Sequence, residues 1–181
     1  MKFAYADPPY LGCGKLYAAH HPDALDWDDP ETHFDLIGRL FDEYPDGWAL
    51  SCHEPSWHIL RTHAGIGCRT GIWVKPFASF KPNVNPAYAF EPVIFRGGRE
   101  FTRIDDTVRD WVSANITLKR GLTGAKPRDF CRWVIGLLNA QPGDQFDDLF
   151  PGTGAFTAAW QDLCGEPRGM PQLALTMEQA R

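Results

Sequence analysis

Cysteine is scarce and unpaired in pattern: the 181 residues hold five, an odd number with no CxxC pair. That argues against a disulfide framework and fits a reducing, cytoplasmic setting. No run reaches eighteen apolar residues, and the apolar opening is broken by Asp7, so neither a membrane span nor a signal peptide is expected. Positive charge is also short. Lys plus Arg number 18 against 23 Asp plus Glu, a formal net charge of -5, which argues against a generally basic nucleic-acid coat. Repeats and low-complexity tracts are absent. What is present is 44% hydrophobic and 13% aromatic content, enough apolar matter for one globular domain spanning 1–181.

The charges are segregated along the chain. Acids dominate Asp23 to Asp46, with Arg39 the lone cation, whereas Arg96 to Arg128 is rich in Arg and Lys. Such a stripe on an acidic body suits phosphate contacts, and it suits equally the solvated faces of two helices.

The chain is organised around Asp7 Pro8 Pro9 Tyr10. This tetrapeptide follows the strand-like run Lys2 to Ala6, so its side chains are expected at the carboxyl edge of a sheet, where open α/β sheets bind ligands. Each proline fixes its own φ and disfavours helix in the residue before it, which holds the Asp7 carboxylate and the neighbouring carbonyls in place. That ledge suits an amino group on a flat ring, with Asp7 and a proline carbonyl accepting the N–H bonds and Tyr10 stacking. The same tetrapeptide also serves as an ordinary Asp-Pro turn. The glycine-containing loop that follows carries Lys15, Tyr17, His20 and His21 within reach of a substrate and is read as a lid or a plain surface loop.

Asp29 Pro30 Glu31 reads as a helix start, with Phe34, Ile37, Leu40, Phe41 and Tyr44 as its core stripe. Trp48 to Cys52 reads as a second strand, and a short helix from about Pro55 is expected to bury Trp57, Ile59 and Leu60. His53, His58 and His63 recur every fifth residue, which spreads them around a helix, so no metal site is expected. Gly71 to Pro76 and Tyr88 to Phe95 read as further strands, the latter irregular at Pro92. Residues 99–124 read as a small target-reading insertion. Lys126 Pro127 opens a helix with Phe130, Val134, Leu137 and Leu138 on one face. A strand ending Asp147 Asp148 Leu149 Phe150, the turn Pro151 Gly152 Thr153 Gly154 and a helix from Ala155 to about Leu163 complete the reading. Strand, GxG, helix brings backbone and a helix N-terminus close to a nucleotide-like ligand. A third glycine and a GxxxxGK are lacking, which argues against a dinucleotide or nucleoside triphosphate.

Together these stretches resemble the S-adenosylmethionine-dependent methyltransferases that modify exocyclic amines of nucleic-acid bases. Asp7 Pro8 Pro9 Tyr10 is similar to their catalytic motif. Asp148 to Gly154 is similar to their cofactor motif, and Lys126 Pro127 to the Lys-Pro that precedes it. Phe90 to Phe95 resembles a further family segment, and the catalytic motif comes first, as in the permuted β group. The resemblance implies an α/β fold: a Rossmann-like sheet with helices on both faces, in which the first strand and the strand ending at Phe150 lie side by side. It implies catalysis by Asp7, Pro8, Pro9 and Tyr10. Cofactor contacts from Asp7, Lys126, Asp148, Phe150, Pro151, Gly152, Thr153, Gly154 and Glu178 follow, with substrate contacts from Lys15, Tyr17 and His20 and no metal. The expected substrate is N6 of adenine in DNA, with cytosine N4, RNA adenine or a silent cofactor-binding subunit as alternatives, in a phage or bacterial enzyme. The short tail leaves Leu173 to Glu178 as the sole candidate for the next strand. This allows a truncated sheet, a homodimer or reliance on a partner subunit.

Overall fold

The computed structural model describes residues 1–19, 22–77, 84–117 and 125–165. Its first strand, β1, is Lys2–Ala6. After two short 3-10 turns, Gly14–Leu16 and Ala24–Asp28, α1 spans Pro30–Glu43. Asp29 caps α1 by accepting the Glu31 N–H at 3.0 Å, and Pro30 in the first turn lacks a donor that would otherwise be unpaired. Then follow β2 (Gly47–Ser51), α2 (Glu54–Ala64), β3 (Arg69–Val74) and β4 (Phe90–Gly97). The remainder is β5 (Trp111–Ser113), α3 (Arg128–Leu137), β6 (Gln145–Asp148) and α4 (Ala155–Gly165).

The six strands form one sheet in the order β5-β3-β4-β2-β1-β6. β1 lies between β2 and β6 and is parallel to both, as the side-by-side placement from sequence required. The sheet is mixed, however. β4 runs antiparallel to β2 and to β3, a relation that residue patterning does not encode. β5, in the stretch read as an insertion, pairs in parallel with β3. Three residues are too few to show a period of two, so this strand escaped detection.

Alternation along the strands divides the core in two. Phe3, Tyr5, Ala49, Trp73, Val93 and Phe95 face α3 and α4, which contribute Phe130, Val134, Leu137 and Phe156. Ala4, Ala6, Trp48, Leu50 and Ile94 face α1 and α2, which contribute Ile37, Leu40 and Leu60. Helices therefore cover both faces of the sheet. Each fully buried large apolar side chain contributes about 1.5–3 kcal/mol, so both layers are needed. α2 departs from expectation: it buries Ser56, Leu60 and Ala64, and Trp57 and Ile59 are only half-buried. No described helix is long and apolar enough to cross a membrane. β6 is an edge strand among the described residues, and the expected next strand, Leu173 to Glu178, lies outside them.

Candidate active site

The period of two that builds the core also builds the site. Tyr5 is buried on the α3 side of β1, and two residues on, past the strand end, comes Asp7. Ala49 leads in the same way to Ser51, Trp73 to Lys75, and, on the oppositely directed β4, Val93 leads back to Glu91. Because β4 is antiparallel to its neighbours, its first residues meet the carboxyl ends of β2 and β3, at the edge where the parallel β1 also ends. Lys126, just ahead of α3, descends on the same edge.

Lys126 is the hub. Its side chain is only 8% exposed, and its Nζ lies 2.9 Å from Asp7 Oδ1 and 3.5 Å from Glu91 Oε2. It also donates to the Tyr10 hydroxyl at 3.0 Å. Tyr10 in turn donates to Glu91 Oε2 at 2.8 Å, and its hydroxyl is 3.3 Å from Asp7 Oδ1. Lys75 pairs with Glu91 Oε1. Two carboxylates thus share two ammonium groups and one phenol. Every bond to Asp7 falls on Oδ1; Oδ2 has no hydrogen bond among the described residues.

The electrostatics follow from burial. Burial pushes the Asp7 carboxyl up, more than Lys126 and the Tyr10 hydroxyl pull it down, and Glu91 raises it further. Burial also opposes ionisation of Glu91, but Lys126 and Lys75 outweigh it and hold that carboxyl below its ordinary value. Lys126 would lose its proton more readily through burial alone, yet Asp7 and Glu91 hold its pKa above the usual lysine value. Burial and the two carboxylates push Tyr10 well up. Of the two carboxyls, Glu91 is therefore the one held ionised by its lysine partners, and Asp7 is the one that takes up a proton more readily.

Tyr10 was expected to offer its ring for stacking. The ring already lies alongside His53, centroids 5.5 Å apart and planes 21° from parallel, while its hydroxyl points into the charge cluster. Burial pushes the Tyr17 hydroxyl up, Asp7 raises it further and Lys126 pulls it back in part. Lys15 is exposed on the Gly14–Leu16 turn, and His20 and Glu178 lie outside the described residues.

The second half of the site sits beside the first. Register pairs Tyr5 with Asp148, so the turn after β6 emerges next to Asp7. Asp148 Oδ2 accepts from Thr157 Oγ1 at 2.8 Å, whereas Oδ1 is buried with no side-chain hydrogen bond among the described residues. The turn closes through Gly154 N–H to the Pro151 carbonyl at 2.6 Å, and the Gly154 carbonyl begins α4. Gly152 and Gly154 have φ of 46° and 73°. Phe150 packs against Trp27, rings 5.2 Å apart.

Among the described cations of the basic stretch, several have partners within the fold. Arg99 pairs with Asp144 at 2.7 Å and Arg128 with Asp162 at 3.0 Å, and Arg109 lies over Trp111. Aromatic surface rims the edge: Phe77, Tyr88 and Phe90 are exposed, the last two lining a cleft of about 430 Å³ with Glu54, Asn85 and Pro86. No group of His, Cys, Asp and Glu among the described residues has the geometry of a metal site. Lys75 and Glu91 were not assigned to the site from sequence. One signal was available for Glu91: it is a lone acid at the period-two position of Val93 and Phe95, where an apolar residue belongs.

No family model matches this sequence, and no curated protein is significantly similar to it. Solved structures share its fold. The crystal structure of the M1.HpyAVI-SAM complex superposes with a TM-score of 0.60 at 15% identity, over 90% of this chain and 78% of that one. The crystal structure of M1.HpyAVI gives 0.58 at 16% identity, over 90% and 77%.

Proposed function

We propose that this chain transfers the methyl group of S-adenosylmethionine to the exocyclic amine of a nucleic-acid base, N6 of adenine in DNA being the preferred acceptor. One observation carries the reading: the Asp7 ledge and the Asp148 to Gly154 turn emerge from adjacent parallel strands at one sheet edge, which sets an amine acceptor site beside a nucleotide cradle. A fold shared with a protein crystallised with SAM supports it.

The residues present suit that cofactor. A Cβ added at Gly154 would meet nothing within 4 Å, so the turn at the head of α4 faces open space where a ligand carboxylate or ribose can approach backbone N–H groups. Asp148, anchored by Thr157 at the base of the turn, sets the carboxyl end of β6 beside that space. When bound, S-adenosylmethionine supplies an electrophilic methyl on a positively charged sulfur.

The chain then has to hold and orient the amine. Asp7 Oδ2 and the Pro8 carbonyl accept its two N–H bonds and aim the nitrogen lone pair. As the N–C bond forms and the C–S bond breaks, nitrogen becomes tetrahedral and positive, and the Asp7 carboxylate stabilises that charge. The product nitrogen sheds one proton, which Asp7 accepts and releases to water; a carboxyl raised by burial is suited to that step. Tyr10 with His53, and the exposed Tyr88 and Phe90 beyond, offer aromatic surface to a base drawn out of a stack or already unpaired. Adenine is preferred because Asp-Pro-Pro-Tyr in the family it resembles accompanies adenine more often than cytosine.

Labelled S-adenosylmethionine, offered with double-stranded DNA, single-stranded DNA and RNA and followed by nucleoside digestion, tests the proposal. N6-methyladenine that vanishes in Asp7→Ala is expected. N4-methylcytosine would transfer the assignment to cytosine, and cofactor binding without transfer to any substrate would favour a silent subunit.

A further inference from the structure

We infer that Glu91 is a positioning residue that draws the Tyr10 hydroxyl proton from Asp7 to itself and offsets part of the Lys126 charge beside Asp7, keeping Asp7 Oδ2 open for the substrate amine. The inference rests on the methyltransferase reading above. Three geometric facts carry it. The Tyr10 hydroxyl has two carboxylates within reach, and it sits 2.8 Å from Glu91 but 3.3 Å from Asp7. Lys126 reaches both carboxylates, its Nζ 2.9 Å from Asp7 and 3.5 Å from Glu91, so the Glu91 charge offsets part of its pull on Asp7. Lys75, from the end of β3, pairs with the other oxygen of Glu91 and so keeps Glu91 ionised and turned toward Tyr10. Glu91 and Lys75 do not bear on the amine themselves; they act through Tyr10 and Lys126.

Removing Glu91 changes Asp7 in two ways. The phenol loses its shorter bond and its remaining acceptor is Asp7, so it competes with the substrate for that carboxylate. The whole Lys126 charge then falls on Asp7, making it a poorer acceptor for both the amine and the departing proton. The groups that face Asp7 are Lys126 ahead of α3, Glu91 on β4, Tyr10 and Tyr17 on its own loop, Tyr5 on β1 and Cys131 on α3. Among the described residues, Glu91 is the carboxylate close enough to raise Asp7. Replacing it by Gln keeps an acceptor for Tyr10 and deletes the charge; replacing it by Ala deletes both.

The experiment combines turnover with direct titration. In Glu91→Gln, the Asp7 carboxyl carbon followed by NMR in the cofactor-free protein is expected to titrate at lower pH than in wild type, and the acid limb of kcat/KM to move the same way. In Glu91→Ala, kcat is expected to fall about tenfold or more while cofactor affinity stays within about twofold of wild type. Adding Tyr10→Phe to Glu91→Ala removes the misdirected phenol and is expected to recover part of the lost kcat. A purely structural role predicts the opposite: the second substitution would deepen the defect and the Asp7 titration would not move. Either result overturns the inference. If wild type transfers no methyl group while Asp7 still titrates lower in Glu91→Gln, the methyltransferase reading fails and the electrostatic coupling stands.

Discussion

Phe3 of β1 and Phe146 of β6 are register partners in a parallel pair, their ring centroids 5.9 Å apart. The contact joins the first strand of the chain to the last described one, and both strands run on to the same edge. From that pairing the Asp7 ledge and the glycine turn acquire their proximity. A ligand spanning both needs no hinge and no second domain to bring its ends together.

Asp7→Ala is expected to reduce methyl transfer by about a hundredfold or more while unfolding remains cooperative, because Lys126 keeps Glu91 as a partner. Transfer assays run beside circular dichroism melts check this. Retained turnover in a folded variant would remove Asp7 from the chemistry.

Lys126→Met leaves two carboxylates buried without their shared cation. A loss of about 3–5 kcal/mol in urea unfolding at neutral pH is expected, as for other broken buried pairs. Without Lys126 both carboxyls titrate higher, so the deficit should narrow as pH falls and they become neutral. A deficit independent of pH would contradict the charge-balance account.

Asp144 holds the amino terminus at 2.9 Å and Arg99 at 2.7 Å. Burial opposes its ionisation, but Arg99, the terminal ammonium and the Gln141 N–H pull its pKa down to about 2. A depressed carboxyl stabilises the folded state above its unfolded pKa and loses that contribution as pH falls through the folded value. Asp144→Asn should therefore destabilise by about 1–2 kcal/mol at pH 7, allowing for solvent screening. The gap should close between pH 4 and about 2. Melting curves across that range decide it.

Gly71 lies on the α3 side of β3 beneath the Trp133 indole. An added Cβ would sit 2.7 Å from Trp133 Cζ2, and the indole is anchored by its N–H to the Arg109 carbonyl at 2.8 Å. Gly71→Ala is expected to cost about 1–3 kcal/mol through overpacking, read by denaturant unfolding. A neutral result would mean that the indole moves freely.

Gly154 adopts a φ of 73° where no neighbour crowds it, so its requirement is conformational. Gly154→Ala is expected to weaken S-adenosylmethionine binding about tenfold by straining the turn, with Asp7 and the core unaffected. Calorimetric titration measures it, and unchanged affinity would place the cofactor elsewhere.

Much of this was legible in residue patterns because the relevant signals are local. The α1 cap at Asp29, the α3 stripe through Phe130 and Val134 and the strand ending at Ala6 each depend on spacing over a few residues. β5 was missed because Trp111 to Ser113 is too brief to show a period. Ile59 was placed inside because an apolar side chain in a helical stripe looks the same whether or not a neighbour covers it. The Tyr10 hydroxyl's place in the charge cluster was not foreseen, because its partners Glu91 and Lys126 are distant in sequence.

By itself the sequence determined where the four α-helices and every described strand but β5 form, and it singled out Asp-Pro-Pro-Tyr and the glycine turn as the candidate site. These follow from covalent geometry and periodic burial within short windows. Only the tertiary structure decided that β4 runs antiparallel, which brings Glu91 from the start of one strand to the ends of its neighbours. Only it assembled Lys75, Glu91, Lys126 and Tyr10 around Asp7. The physical reason is that a charge buried beside a low-dielectric core must find its counter-charge in space, and nothing in the local sequence states which distant residue will supply it.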